Sequence, residues 1–398
     1  MNIKRLGEFA EIQTGPFGSQ LHKEDYVLNG TPIVTVEHLG NRLFTEQNLP
    51  RVSDDDKQRL SKYILSEGDI VFSRVGSVDR CSYVDESHDG WMFSGRCLRV
   101  RPDKTVLPLY LYYYFCLEET KQFVRNIAVG ATMPSINTKL MSEVPVSIPE
   151  IESQKRIADI LSSIDNKIEL NETINENLEQ QAAAYFYHQF IVNADPSWKE
   201  GTISDLGTVI GGSTPSKSKP EYYTDNGIAW ITPKDLSVDK SKFISHGADD
   251  ITELGLRNSS ASIMPAGTVL FSSRAPIGYI AIADGEVTTN QGFKSVVPNG
   301  NVGTAFVYYF LKNALPTIEN MASGSTFKEI SGSAMRTVPA VIPDDESLQE
   351  FSDFCEPLFQ QQRTLEAENR SLAALRDSLL PKLMSGELDV SGLDLLGC

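Results

Sequence analysis

The chain has 398 residues and a net charge of −17, with 40% hydrophobic and 22% charged residues. This length favours two or three domains over one compact core, and the composition excludes wholesale disorder, a collagen-like fibre and a disulfide-rich miniprotein. No apolar run approaches the roughly 20 residues that a membrane-spanning helix needs, and the first residues do not resemble a secretory signal. The five cysteines are scattered along the chain. We therefore expect a reduced, cytoplasmic protein with no membrane partner and no disulfide framework.

The negative charge is concentrated in two short segments. Residues 150–192 carry a net charge of −5 and residues 344–389 carry −7, whereas residues 1–149 and 193–343 carry only −2 each. Because nucleic acid needs a basic surface, the total charge by itself favours an acidic protein without such a partner. The two nearly neutral segments still leave room for local basic patches, and both alternatives stay open at this point.

Five sequence blocks of the first half recur in the same order in the second half, about 195 residues later. The paired blocks are 30–39 with 227–236, 68–74 with 267–274, 113–115 with 308–310, 130–132 with 324–326, and 144–149 with 338–343. In this alignment Arg74 and Arg274 occupy matching positions after strand-like runs. The conserved order of the blocks predicts a tandem duplication of one globular unit.

Each copy has the pattern of a mixed domain that contains both strands and helices. Short β-branched runs bounded by glycine, proline or aspartate predict strands, for example at 70–72 in the first copy and at 269–271 in the second. Residues 109–126 and 304–320 each predict one helix with an aromatic face. We assign the tyrosines of these helices to the core rather than to a surface that stacks on bases.

Each copy is followed by an acidic segment with a seven-residue repeat, which is typical of a coiled-coil helix. Asn171 and Asn369 are polar residues on the predicted seam. A buried asparagine commonly fixes the register of a coiled coil, although both residues could instead face solvent at a frayed edge. The predicted seam consists of Ile157, Ile160, Ile164, Asn171, Ile174, Leu178 and Tyr185 in the first segment, and Phe351, Leu358, Leu365, Asn369, Leu372, Leu379 and Leu383 in the second.

The order of the segments predicts an α+β protein with two tandemly repeated globular domains. A pair of long antiparallel coiled-coil helices would separate the domains, and a pseudo-two-fold axis would relate the two halves. Each helix of roughly 38 residues would be about 57 Å long. The predicted boundaries are 1–150 for the first domain, 151–192 for the central helix, 193–343 for the second domain, 344–389 for the distal helix, and 390–398 for a C-terminal tail.

The sequence resembles the specificity subunits of type I restriction–modification systems over essentially its whole length. The resemblance rests on the duplication and on blocks at 14–19 (TGPFGS), 68–74 (GDIVFSR), 133–137 (MPSIN), 154–158 (QKRIA), 290–293 (NQGF) and 379–388 (LLPKLMSGEL). It implies two target-recognition domains that each recognise one half of a bipartite double-stranded DNA sequence.

The resemblance also implies partners and cofactors. The helix pair would set the length of the spacer between the half-sites and would dock two methyltransferase (M) subunits for adenine methylation. Restriction (R) subunits would join the complex for DNA cleavage. S-adenosylmethionine, ATP and Mg²⁺ are then expected on the partner subunits, and no cofactor is expected on this chain.

The sequence contains no convincing signature of its own catalysis. It has neither the Pro-Pro pair of an amino-methyltransferase motif nor the Gly-Lys pair of a P-loop, and its histidines lack metal-ligand spacing. Pro102-Asp103 followed by Glu119-Thr120-Lys121 fits a metal-dependent nuclease only loosely, because Glu119 falls in an apparent helix. We assign no catalytic residue and no metal site. A stand-alone nuclease or methyltransferase and a purely protein-binding coiled-coil scaffold remain the alternatives.

Candidate DNA contacts follow from the chemistry of recognition. Arginine, asparagine and glutamine suit base edges, whereas lysine, serine, threonine and glycine-rich turns suit phosphates. Arg74 and Arg274 could instead form structural salt bridges, Asn290 and Gln291 could cap a turn, and residues 211–219 could be a solvated loop. The candidates are Thr14, Ser19, Lys23, Arg74, Ser77, Arg80 and Thr132 in the first half, and Ser213, Ser216, Lys217, Lys219, Arg274, Asn290, Gln291, Ser325 and Lys328 in the second.

Overall fold

The computed structural model describes residues 2–16, 18, 20–324 and 328–390. It divides into two compact units, of which the first comprises Met1–Ile168 and Ser371–Cys398 and the second comprises Glu169–Arg370. Both units combine sheets with helices, so the predicted α+β class with tandem globular units is confirmed. Among the described residues no helix is both long and apolar enough to cross a membrane.

The first unit has three small sheets. A four-stranded sheet has the order β2-β9-β6-β7, a second has the order β3-β5-β4-β8, and β1 pairs antiparallel with β10. The strands are β1 (Asn2–Arg5), β2 (Ala10–Thr14), β3 (Tyr26–Val27), β4 (Thr31–Val34), β5 (Arg51–Val52), β6 (Ile70–Ser73), β7 (Cys81–Tyr83), β8 (Met92–Phe93), β9 (Cys97–Pro102) and β10 (Pro145–Ile148). The helices are α1 (Asp54–Arg59), α2 (Pro108–Cys116), α3 (Glu118–Ile127) and α4 (Thr138–Met141). The long α5 (Ile151–Tyr187) begins in this unit and belongs to the second unit from residue 169 onwards.

The second unit repeats this plan. A five-stranded sheet has the order β12-β20-β17-β18-β15, a four-stranded sheet has the order β13-β16-β14-β19, and β11 pairs with β21. The strands are β11 (Lys199–Thr202), β12 (Gly207–Gly211), β13 (Tyr223–Thr224), β14 (Ile228–Ile231), β15 (Phe243–Ile244), β16 (Asp249–Ile251), β17 (Val269–Ser273), β18 (Ile277–Ala283), β19 (Thr288–Thr289), β20 (Lys294–Pro298) and β21 (Pro339–Ile342). The helices are α6 (Ile203–Leu206), α7 (Pro233–Val238), α8 (Glu253–Arg257), α9 (Thr304–Met321) and α10 (Gly332–Arg336). The long α11 (Asp345–Ser385) begins in this unit and belongs to the first unit from residue 371 onwards.

One helix prediction needs correction. The aromatic segment of the first copy is two helices, α2 and α3, because Leu117 leaves the helical region with ψ of 133°. Glu118 and Glu119 then begin α3, where their carboxylates complement the positive end of the helix dipole. In the second copy the corresponding segment stays one helix, α9, although it contains Pro316.

Backbone pairing also corrects the alignment of the two copies. The amide of Arg74 donates to the carbonyl of Arg96 at 2.8 Å, and the equivalent bond in the second unit runs from Ser273 to Gly292 at 2.7 Å. Arg74 therefore corresponds to Ser273 and not, as predicted, to Arg274. Consistently, Val75 in the first unit and Arg274 in the second form the matching isolated bridges. The two arginines therefore occupy positions one residue apart in the backbone pairing of the two copies.

The two acidic segments are helical, as predicted, and they are antiparallel within each unit. In the second unit Tyr185 stacks on Phe354 and Asn171 meets Asn369, so α5 and α11 run in opposite directions. In the first unit Arg376 of α11 pairs with Asp165 of α5 at 2.9 Å. A π-helical turn at His188–Val192 follows α5.

Asn171 on α5 is buried and does not lie at a frayed, solvent-facing edge of the seam. Asn171 is 0% exposed, and its amide donates to Asn369 and to Glu368, both at 2.8 Å. The alternative of a solvent-facing asparagine is therefore wrong for Asn171. The other predicted seam residues are buried or half-buried, and none is exposed. A buried polar pair of this kind favours one register because any slip would leave its amides without partners.

The described residues form four apolar clusters, two in each unit. The larger cluster of the first unit joins Tyr110, Tyr113 and Phe115 of α2 to residues of the long helices such as Leu161 and Leu383. The larger cluster of the second unit joins Phe306 and Tyr309 of α9 to Phe186, Phe190 and Phe351. In both units the aromatic helix lies against the long helices, which assigns its tyrosines to the core as predicted.

Candidate functional site

Three loops of the second unit meet at one cavity. The loops follow β12, β17 and β19, and backbone hydrogen bonds join them, from Ser213 to Thr289 at 2.8 Å and from Ser273 to Gly292 at 2.7 Å. The cavity has a volume of about 480 Å³. Four predicted contact residues lie in its wall, together with residues such as Trp230 and Lys234, and these four are Lys217, Arg274, Asn290 and Gln291. Sequence positions more than 70 residues apart thus form one site.

Arg274 has both a partner and access to solvent. Its guanidinium lies 3.4 Å from the Glu329 carboxylate, which also approaches the ammonium of Lys294 at 3.6 Å. The salt bridge considered as an alternative for Arg274 is therefore present in the structure, with Glu329 as the partner. The Arg274 side chain is nevertheless 39% exposed, and an exposed ion pair of this kind contributes little to stability. A phosphate or a guanine edge can compete for the same guanidinium.

Asn290 and Gln291 use their oxygens inside the protein. The Asn290 side-chain oxygen accepts from the Gly292 amide at 2.8 Å, which is the turn-capping role offered as an alternative. The Gln291 oxygen accepts from the Thr214 hydroxyl. Within the part of the chain that the structure describes, neither side-chain amide nitrogen donates a hydrogen bond. Both can therefore donate to an external acceptor while the loop stays ordered.

The charge around the cavity is mixed, and its lining includes the exposed carboxylate of Asp249. Lys217 and Lys234 are exposed. Asp235 is occupied, because it accepts from the backbone and hydroxyl of Thr232 at 2.7 Å each and from the Ala248 amide at 3.0 Å. Lys234 was missed from the sequence, although its place one residue after the proline that begins α7 was a usable signal.

The remaining second-half candidates among the described residues are not part of the cavity lining. Lys219 is exposed and lies 3.7 Å from Glu221, and the hydroxyl of Ser216 contacts that of Ser218 at 2.9 Å. The Ser213 carbonyl accepts from the Trp230 indole at 2.9 Å, which holds the cavity wall in place. Lys328 is exposed, and Ser325 lies outside the described residues.

Four of the first-unit candidates, Arg74, Ser77, Arg80 and Thr132, lie in the segments next to the end of β6. The Arg74 guanidinium donates to the Gly95 carbonyl at 3.2 Å, and the Ser73 amide donates to the Arg80 carbonyl at 2.9 Å. Ser77, Arg80 and Thr132 are exposed. The loop that carries Thr132 is tied to this turn, because the Gly76 amide donates to the Pro134 carbonyl at 2.8 Å. The turn that carries Ser77 and the loop that carries Thr132 are therefore held next to each other.

Arg96 is an additional exposed cation that the sequence did not single out. Its carbonyl accepts a hydrogen bond from the Arg74 amide, and it directly precedes β9. Thr14 pairs with Leu98 two residues further along and is half-buried. Ser19 and the side chain of Lys23 lie outside the described residues.

The loose nuclease pattern does not form a site. Asp103 caps a turn, where its carboxylate accepts from the backbone and the hydroxyl of Thr105 at 2.8 and 2.5 Å. Glu119 lies in the first turn of α3, as expected from the sequence. Among the described residues no group of three or more histidine, cysteine, aspartate or glutamate side chains is placed to hold a metal ion.

Comparison with known proteins relates both halves of the chain to one family. The model of the type I restriction modification DNA specificity domain matches residues 1–180 and again residues 196–374. A curated relative, the type I restriction enzyme HindI specificity subunit of Haemophilus influenzae, is 25% identical over 96% of this chain and 100% of its own length. The MjaIX specificity subunit of Methanocaldococcus jannaschii is 40% identical, over 42% of this chain and 41% of that protein.

A solved structure supports the fold. The crystal structure of the S subunit of a type I restriction–modification system from M. genitalium matches with a TM-score of 0.59 and 18% identity. The match covers 96% of this chain and 95% of that one. At this identity the likeness concerns the arrangement of the backbone and says nothing about individual contact residues.

Proposed function

The chain belongs to the type I restriction–modification DNA specificity family, and on that basis we propose that each of its units recognises one half of a bipartite DNA target. As a specificity subunit it recognises DNA and does not catalyse a reaction itself. The observation that carries the proposal is the second-unit cavity, where Lys217, Arg274, Asn290 and Gln291 line one wall. These are the side chains that suit phosphates, guanine and adenine.

The first unit would use the basic turn at the end of β6. Arg74, Arg80 and Arg96 contribute three guanidinium groups there, and Ser77 and Thr132 contribute exposed hydroxyls. The acidic total charge does not oppose this assignment, because the excess of carboxylates lies mainly on the two long helices. Local basic surfaces are what phosphate binding requires.

The long helices would dock two M subunits and set the spacer between the half-sites. Two observations support this assignment: α5 and α11 have 37 and 41 residues, and each contributes to both units. Restriction subunits would join the complex for cleavage. S-adenosylmethionine, ATP and Mg²⁺ would then bind the partner subunits, and this chain would bind none of them.

Sequencing the methylated bases of a host that expresses the chain with its M subunit tests the proposal. We expect one motif with two defined halves and a gap of fixed length, and we expect it to disappear when the chain is omitted. Retention of target DNA by the complex would also exclude a purely protein-binding scaffold. Methylation that ignores sequence, or that persists without this chain, would contradict the proposal.

Arg274→Ala separates base recognition from backbone contact. If the guanidinium binds a base edge, the substitution should cost about 1–3 kcal/mol at one base pair of the second half-site. Binding to DNA with each base pair varied in turn measures this. A loss that is equal on all sequences would instead identify a phosphate contact.

Glu329→Gln is the matched control for this experiment. It removes the ion pair with Arg274 and leaves the guanidinium in place. We expect Glu329→Gln to preserve the base preference. A control that behaves like Arg274→Ala would show that the pair acts only within the protein.

A further inference from the structure

A buried lysine joins the second recognition domain to both long helices. Lys242 directly precedes β15, and its side chain is only 6% exposed. Its ammonium pairs with Glu179 of α5 and donates to the Gln362 oxygen of α11 at 2.7 Å. It also lies 4.2 Å from the centre of the Phe359 ring. One side chain of the domain therefore contacts both helices.

Neighbouring groups complete this network. Glu179 also accepts from Lys312 at 2.5 Å and from the Tyr309 hydroxyl at 2.8 Å, and both of these residues lie on α9. The backbone amides of Lys242 and Phe243 donate to the carboxylate of Glu366 on α11 at 2.8 and 3.2 Å. Burial alone would raise the pKa of Glu179, but the two nearby ammonium groups outweigh it and hold the pKa below its ordinary value.

The first unit places a basic residue at the corresponding position. The Tyr83 amide donates to the Arg42 carbonyl at 2.7 Å, and in the second unit Ile282 donates to Lys242 at the same distance. Arg42 is therefore the counterpart of Lys242, and its guanidinium reaches Asn166 of α5 at 2.6 Å.

The tyrosine and carboxylate of this contact recur as well. Tyr113 donates to Asp165 of α5 at 2.6 Å, as Tyr309 donates to Glu179. Asp165 in turn pairs with Arg376 of α11. The two units thus reach the same kind of contact with different side chains, which points to a requirement on geometry rather than on one particular pair.

The energetics of such pairs support a geometric role. Removing charges from water costs so much that a buried ion pair is often no more stable than well-packed apolar residues of the same size. Its hydrogen bonds, however, are satisfied in only one arrangement of the partners. A recognition domain that tilted on the helices would leave Lys242 or Glu179 buried without a partner, whereas an apolar contact could slide.

We propose that Lys242 and Arg42 are positioning residues that fix the angle of each recognition domain on the helix pair. They thereby restrict the complex to one spacer length between the half-sites. The inference rests on the proposed function and deepens it, because it assigns selection of the spacer to two side chains, the buried Lys242 and the half-buried Arg42, as well as to helix length. Neither residue needs to touch DNA for this role.

Lys242→Met in the full chain, expressed with the M subunit, tests the inference by sequencing of methylated bases. Methionine keeps the length of the side chain and removes its charge. We expect the two half-sites to stay the same, while targets with spacers one base pair shorter or longer rise at least about tenfold in methylation. Lys242→Arg, which keeps the charge, should restore the single spacer.

Lys240→Met is the matched control. Lys240 is exposed, lies two residues away, and has its ammonium 4.7 Å from the centre of the Tyr279 ring. It should leave the spacer unchanged. If the melting curve shows that Lys242→Met does not fold, Lys312→Met is used instead. It removes the half-exposed ammonium group that also pairs with Glu179, and we expect it to broaden the range of spacer lengths less than Lys242→Met.

The outcomes separate the two proposals. A uniform loss of methylation at an unchanged spacer would show that Lys242 only stabilises the domain, and an unchanged profile would show that the contact does not position it. Either result overturns the inference. Failure of the proposed function is distinct, since the wild-type chain would then yield no bipartite motif at all.

Discussion

Insertion of one heptad into both long helices is expected to lengthen the gap between the two half-sites by about three base pairs. Seven residues add about 10.5 Å of helix, and the base pairs of DNA follow one another every 3.4 Å. The insertions belong between residues 168 and 169 and between residues 370 and 371, where the chain divides into its two units. Both half-sites should remain as they are.

The length of the insertion matters because the helices contact through a seven-residue repeat. A full heptad keeps the seam in phase, whereas four residues over-rotate it by about 40°. The insertion points leave the pair of Asn171 with Asn369 intact on the second-unit side. Sequencing of methylated bases gives the new spacer directly.

Insertion into only one helix is the control for this experiment. It shifts the seam and should abolish methylation, because the facing residues of the other helix no longer match. A double insertion that alters the half-sites but keeps the original gap would refute the idea that the helices measure distance.

Phe351→Ala is expected to destabilise the second unit by about 3–5 kcal/mol, the range for removing a large buried aromatic side chain. Phe351 is fully buried, and its ring lies 5.3 to 6.0 Å from those of Tyr185, Phe186, Phe190 and Tyr309. A loss of this size is a large share of the 5–15 kcal/mol that stabilises a typical domain. Denaturant unfolding followed by circular dichroism measures it.

The functional consequence of Phe351→Ala should be confined to the second half-site. Its ring lies in the cluster of the second unit and in no cluster of the first. Phe354→Ala is the control, because Phe354 is only half-buried and stacks mainly on Tyr185, so its loss should be clearly smaller. Equal losses for the two variants would contradict the assignment of Phe351 to the centre of this core.

In the second-unit cavity, side-chain hydrogen bonds hold the loops, and some polar groups of the same residues have no partner among the described residues. The side-chain oxygens of Asn290 and Gln291 accept hydrogen bonds within the loops, and among the described residues their amide nitrogens donate none. The ion pair of Arg274 with Glu329 is partly exposed. The salt bridge of Arg274 and the turn-capping contact of Asn290 are therefore both compatible with contact to DNA. A loop held by its own side chains lowers the entropy cost of binding.

Sequence patterns were sufficient for the features that repeat along the chain. The duplication follows from the recurrence of five sequence blocks in the same order. The two long helices and the seam with its asparagine follow from a seven-residue periodicity, which depends only on local backbone geometry. Residue type singled out Lys217, Arg274, Asn290 and Gln291 as candidates for contact with DNA. It could not establish that these four residues share one cavity.

The tertiary structure decided the features that depend on pairing between distant segments. The backbone pairing after β6 and β17 matched Arg74 with Ser273 and not with Arg274, because an offset of one residue is visible only in the hydrogen bonds between distant segments. The contacts of Lys242 with Glu179 and Gln362 join positions 63 and 120 residues away. A lysine or glutamate in a sequence is expected at the surface, and only the packing shows that Lys242 is buried against the half-buried Glu179, because burial is a property of the assembled chain.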